Sequence, residues 1–231
     1  LQGLTKPYKF GEAIPVAISI AEHGVWSVDE AAGTRTWRTQ ISSPGALSLG
    51  LQFSKFRLPP QGELYVLGQG EVRGAYTAAV NNKPGDEFAL LPIGGDTLVL
   101  EYVEALPHGW DKAALAPSAV QLEVESVVHG FRWTPERKTL SGSCNIDVAS
   151  ALGAPWRDQI NSVGIMITDN GQRYCTGAMV NNPRQDGRQL FLTANHCVYG
   201  NTGRYLIGFN FQYQSDQGAY DAEKPTVQSV Q

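Results

Sequence analysis

The sequence lacks a long apolar run. Nothing in it approaches the roughly 18 residues of a membrane-spanning helix, so no membrane partner is expected. It also lacks a cluster of basic residues. Eighteen Lys and Arg against 22 Asp and Glu leave a net charge of −4, without the electrostatic footprint of a nucleic-acid binder. Charged residues are scarce at 17%, too few for a chain built on long solvent-facing helices. The chain opens at Leu1 with neither a charged leader segment nor an apolar one, so any secretory signal is expected to have been removed or to lie outside this sequence. Cysteine is scarce too, with three in all. An odd count leaves at least one thiol free, reactive or paired outside the chain.

What is present points to strands and turns. The 231 residues are 42% hydrophobic, enough to bury a core, and include 25 Gly and 13 Pro. At ~150 residues per domain this length suggests one large or two small domains. Leu47, Leu49, Leu51 and Phe53 alternate with polar or small residues, the period of a half-buried strand. Trp37-Thr39-Ile41, Leu64-Val66, Leu98-Leu100-Tyr102 and Leu122-Val124 read the same way. Between them lie Ser43-Pro44-Gly45, Pro59-Pro60-Gln61-Gly62, the run from Asn81 to Asp86 and Gly94-Gly95-Asp96, all turn material. Strands recurring at this spacing predict an antiparallel, jelly-roll-like β-sandwich over residues 1–133.

Residues 134–138 form a polar, proline-bearing linker ending at Lys138, an exposed candidate for proteolysis or simply a solvated lysine. Beyond it, a short helical turn with Pro155 at its first position is expected over Pro155–Ile160. Val163-Ile165-Ile167, Cys175-Gly177-Met179, Leu190-Leu192-Ala194 and the alternating run from Tyr205 to Tyr213 read as strands of a second β domain. From Asp221 the pattern is lost, and the segment reads as a loop leading toward further polypeptide.

Chemistry concentrates in Phe191-Leu192-Thr193-Ala194-Asn195-His196-Cys197, with Tyr174-Cys175-Thr176-Gly177 upstream. A bridge between Cys175 and Cys197 would hold the backbone beside His196, and a general base must be held within reach of its nucleophile. Taken alone, the pair better fits a core histidine beside a structural cystine. A zinc set of Cys144, Cys175, His196 and Cys197 lacks the Cys-x-x-Cys spacing of structural zinc. His23, His108 and His129 share no spacing, and Trp26, Trp37, Trp110 and Trp133 read as sandwich core before a sugar-stacking platform. Asp29-Glu30 and the Asp221, Glu223 pair are too close in sequence for a glycosidase dyad.

Four pieces in order give the region from Lys138 to Tyr213 a family resemblance. They are Ser141-Gly142-Ser143-Cys144-Asn145-Ile146-Asp147-Val148, Pro155-Trp156-Arg157-Asp158-Gln159-Ile160, Cys175-Thr176-Gly177 with Val180-Asn181-Asn182, and the segment from Phe191 to Cys197. This region resembles the first part of a lysyl endopeptidase, a secreted branch of the chymotrypsin-like serine proteases. The resemblance implies a fold in which the sandwich is followed by a first, incomplete β-barrel over residues 139–231. It implies His196 as triad general base, Cys175–Cys197 as the neighbouring bridge, a mature N-terminus at Thr139 after cleavage at Lys138, and residues 1–138 as a pro-region or accessory domain.

The same family places its triad acid and serine downstream of the histidine. Ser141-Gly142-Ser143 falls at the mature N-terminus, so it is rejected as nucleophile. Asp216 and Asp221 lack the apolar flanks of a buried acid. Cys144 would pair with a cysteine outside the chain, while Ser150 and the Ser215-Asp216-Gln217 stretch replace the two ends of a second family bridge. The expectation is therefore a secreted, extracellular or periplasmic precursor or fragment of an endopeptidase cutting after lysine, inactive by itself and requiring no metal or organic cofactor. Its partners would be a peptide or protein substrate and the rest of the protease, or another subunit. The competing expectation is a non-catalytic homologue serving as a structural or binding module, since an open barrel leaves strand edges to be covered.

Overall fold

The computed structural model describes residues 8–107, 109, 118–132, 148, 151–198 and 205–209. Lys138, Thr139 and Cys144 lie outside them, as do His108, Trp110, Trp133, Ser141, Ser143, Ser150, Asp216, Asp221 and Glu223. The chain is all-β, built from several antiparallel sheets with no closed barrel among the described residues. It divides into two compact units, Glu12–Phe131 and the combination of Leu1–Gly11 with Arg132–Gln231.

The unit Glu12–Phe131 contains β2 (Gly11–Ser19), β3 (Val25–Asp29), β4 (Thr34–Ser42), β5 (Ser48–Arg57), β6 (Glu63–Gly68), β7 (Glu71–Thr77), β8 (Phe88–Gly94), β9 (Thr97–Ala105) and β10 (Gln121–Gly130). One sheet has the order β2-β10-β5-β8 and the other β3-β4-β9-β6-β7. Setting aside the extra edge strand β3, the chain shuttles between two four-stranded sheets in the order of a jelly roll. The alternating residues explain why the sheets stack. Leu49, Leu51 and Phe53 of β5 meet Trp37 and Ile41 of β4, Leu64 and Val66 of β6, and Leu98, Leu100 and Tyr102 of β9 in one buried cluster. Phe53, Phe56, Phe88 and Tyr76 add a run of stacked and edge-on rings.

A register shift between Val124 and Ser126 makes Glu125 the extra residue of a β-bulge, so Val127 follows Leu122 and Val124 into the core. Two charges are buried with them. Arg35 lies 2.5 Å from Glu104, whose other oxygen accepts hydrogen bonds from Tyr102 (2.6 Å) and Ser118 (2.8 Å). The Arg35 guanidinium also sits 5.1 Å from the Trp26 ring centre. The carboxylate is satisfied on both oxygens, which is what permits its burial.

The other unit holds β1 (Tyr8–Lys9), β11 (Val163–Thr168), β12 (Gln172–Val180), β13 (Leu190–Thr193) and β14 (Tyr205–Phe209). β12 is its hub: β11 pairs along one edge with β14 beyond it, while β1 and β13 share the opposite edge at different heights. Ile165, Met166, Ile167 and Leu206 are buried within this sheet. The turn expected at Pro155 begins earlier. A 3-10 segment runs over Ala151–Trp156, with Pro155 inside it, and passes into a short α-helix over Arg157–Ser162. Pro155 is the fifth of the six residues of that 3-10 segment, where its fixed φ matches the tighter turn.

Candidate active site

The site is assembled along β12. Cys175 faces Met166 and Arg173 faces Ile167, so Tyr174 is the extra residue of a β-bulge. Such a bulge re-aims side chains locally. The Tyr174 hydroxyl lies 3.5 Å from the backbone oxygen of His196. Three residues further on, Gly177 pairs with Thr193 of β13. A Cβ at Gly177 would stand 2.4 Å from the Leu192 carbonyl oxygen and 2.5 Å from the Phe191 ring, so β13 can approach only a glycine here. Gly164 plays the same part on β11, where a Cβ would meet Ile207 at 2.7 Å. Phe191 occupies the space thus left and stands edge-on to Phe209, with ring centres 6.3 Å apart.

Thr193 then donates from Oγ1 to the Thr176 carbonyl at 2.8 Å, pinning the end of β13. The chain turns directly into a single helical turn, Asn195–Val198, in which the Cys197 amide donates to the Ala194 carbonyl at 2.9 Å. Cys197 is buried and bonded to Cys175, with their Cα atoms 6.1 Å apart. The Tyr205 hydroxyl of β14 donates to the Cys197 carbonyl at 3.1 Å. Three strands therefore converge on one short turn: β12 through the cystine, β13 through the chain itself, and β14 through Tyr205.

That turn presents the exposed residue His196 beside the cystine. Its ring nitrogen and the two sulfurs lie within 4.8 Å of one another. The sulfurs are bonded to each other, so neither serves as a thiolate ligand in this state. Among the described residues, no carboxylate is ion-paired or hydrogen-bonded to the His196 ring. An exposed imidazole on a fixed backbone can accept and return a proton at a group brought to it.

The structure brings His196, Cys175 and Cys197 together. Two other candidate histidines serve the jelly roll: His23 accepts from the Ser19 amide at 3.3 Å, and His129 is hydrogen-bonded to Ser43 Oγ at 2.7 Å. Trp37 is buried with its Nε1 donating to the His23 carbonyl at 2.7 Å, while Trp26 stands edge-on to Tyr102 with ring centres 6.1 Å apart. These two do not form one exposed aromatic face. Asp29 accepts from the Ala32 amide in a tight turn at 3.0 Å. Sequence reading missed the positioning tyrosines, Tyr174 and Tyr205. Only the β12 bulge and the β11–β14 register bring their hydroxyls to this turn, and neither leaves a local signal in the sequence.

Comparison with known proteins gives the chain a family. Residues 139–231 match the family model described as lysyl endopeptidase, C-terminal domain. A lysyl endopeptidase of Pseudomonas aeruginosa is 30% identical over 194 residues, covering 74% of this chain and 39% of that protein. The aligned share exceeds the length of 139–231, so the similarity reaches into the jelly-roll unit. The chain spans well under half the length of this relative. No solved structure matches it significantly. With the histidine segment in place and the match running through the region that bears it, the chain is a lysyl endopeptidase-like protein.

Proposed function

We propose that the chain is the N-terminal part of a secreted serine endopeptidase that cuts after lysine, with His196 as its general base. The observation that carries this reading is the exposed His196 on a backbone tied by the Cys175–Cys197 bond and the Tyr205 hydrogen bond. Neutral His196 would take the proton of a serine hydroxyl as it attacks the scissile carbonyl, then deliver it to the departing amine. The serine and the acid that orients the ring would come from polypeptide beyond these 231 residues, continuous with them or separate. A cystine suits an oxidising compartment, which favours secretion or the periplasm. Thr139 would open the mature enzyme after cleavage at Lys138, with the preceding residues as pro-region or accessory domain. The reach of the similarity into the jelly roll supports treating that unit as part of the same precursor.

Two measurements test the reading. The 231-residue chain is expected to leave a lysyl ester intact. The protein extended through its natural continuation is expected to hydrolyse it, and His196→Ala should lower kcat/KM by at least ~10⁴-fold. Undiminished turnover in that variant, or His196-dependent turnover by the 231-residue chain alone, would overturn it. An intact natural protein ending at Gln231 would instead favour the non-catalytic module.

A further inference from the structure

The Cys175, His196, Cys197 cluster has a second chemistry that depends on its redox state. We propose that, once the Cys175–Cys197 bond is reduced, the two thiolates and the His196 imidazole form a binding site for a single Zn²⁺ ion. Reduction adds two electrons and two protons to the cystine, supplied by a dithiol that becomes a disulfide. Metal binding then displaces the two thiol protons into solvent. Zinc holds thiolates at about 2.3 Å and imidazole at about 2.0 Å, which places donors about 3.5 Å apart on a tetrahedron. The three donors already lie within 4.8 Å of one another, and the broken bond lets the sulfurs relax to non-bonded contact by side-chain rotation.

Their backbones do not rest on the cystine alone. Cys175 is held in β12 opposite Met166, and Cys197 by the Ala194 and Tyr205 hydrogen bonds. The donors therefore stay close after reduction. Cys197 is buried while His196 is exposed, so the ion enters from the histidine side and its fourth position stays open to water. A Cys₂His set with one open position is a recognised zinc environment. The site belongs to conditions that keep thiols reduced, as the cytosol does, and is erased when the bond forms after export. Its consequence for activity rests on the reading of His196 as general base, because the ion would withdraw that imidazole from proton transfer. The metal site itself does not depend on that reading.

The test uses the full 231-residue chain carrying Cys144→Ser, which removes the third thiol. Reduced with a phosphine and titrated with Co²⁺ as a spectroscopic stand-in, it should bind one equivalent, with a thiolate-to-metal charge-transfer band and tetrahedral ligand-field bands. Zn²⁺ should displace the Co²⁺ and slow alkylation of both cysteines. The oxidised chain should give no band. His196→Ala should weaken Co²⁺ binding at least ~10-fold, the lower bound for losing even a supporting residue of a metal site. Affinity should also fall as pH drops, because protons compete for the thiolates. Absence of the band in the reduced chain, an unchanged titration in His196→Ala, or loss of native circular dichroism on reduction without recovery on adding Zn²⁺ would each overturn the proposal. Activity plays no part in these readouts, so they stand apart from the test of proteolysis.

Discussion

Tyr76 and Tyr102 are both buried in the jelly-roll core, and alkaline pH is the perturbation that isolates them. Burial pushes the Tyr76 phenol up to about 12; nearby Arg73 opposes the shift and Glu71 adds to it. Burial also raises the Tyr102 phenol well above its usual range, reinforced by the hydrogen bond that its hydroxyl donates to Glu104. A raised phenol pKa in the folded state means that the unfolded chain releases its proton first. The stabilisation is complete below about pH 10, the unfolded value, and is lost as pH rises toward the folded value. At pH 11 an unfolded tyrosine is mostly ionised while Tyr76 is mostly not, which costs about 1.4 kcal/mol for this residue. Tyr102 adds a loss of the same sign. Even the Tyr76 loss between pH 8 and pH 11 is an appreciable share of a typical domain's stability. Urea unfolding followed by tryptophan fluorescence, which reports on buried Trp37, measures the change. Other groups titrate in this range, so the comparison with Tyr76→Phe is decisive. That variant keeps the ring against Phe88 and should lose about 1.4 kcal/mol less than the parent between the two pH values. Parallel losses in the parent and the variant would refute the argument.

The cystine and the close approach of β13 give two further predictions in the other unit. Opening the Cys175–Cys197 bond, which spans 22 positions, should cost about 3 kcal/mol on the chain-entropy estimate. The Cys175→Ser, Cys197→Ser double variant and the dithiothreitol-treated parent should therefore show the same lowered urea midpoint, and an unshifted midpoint in either would refute the estimate. Gly177→Ala forces a Cβ into the Leu192 carbonyl, which is backbone and cannot swing away. It should destabilise this unit by about 1–3 kcal/mol and raise amide hydrogen exchange in β13; native exchange rates there would show that the strand pair tolerates the side chain.

Which parts of this molecule are legible in its sequence follows from which elements bury one face. β4, β6 and β9 each set a regular row of side chains into the core, so their period of two survives in the sequence and gives the sandwich. β8 does not show it. Phe88, Ala89, Leu90 and Leu91 are all buried, so both faces read as apolar and the alternation vanishes. β3 fails for the opposite reason: it is exposed along its whole length at the sheet edge, and nothing selects which of its residues should be apolar. β1 is two residues long and acquires its strand identity only by pairing with Arg173 and Gln172, more than 160 positions away in sequence.

The site divides along the same line. His196 and Cys197 announce themselves because a rare residue type stands in a dense local motif. Tyr174 and Tyr205 are ordinary strand tyrosines until a bulge on one strand and a cross-strand register on another bring both hydroxyls to a single turn. Identity of the candidate group is a local property, and sequence alone can expose it. Positioning of that group is non-local, because it depends on where three strands meet. Of the contacts that hold the His196 backbone, a motif search finds the cystine and passes over the two tyrosines, and Tyr205→Phe is the substitution that separates the two. It leaves every motif residue untouched while removing the hydrogen bond to Cys197, and its effect would register in the orientation of the histidine rather than in its identity.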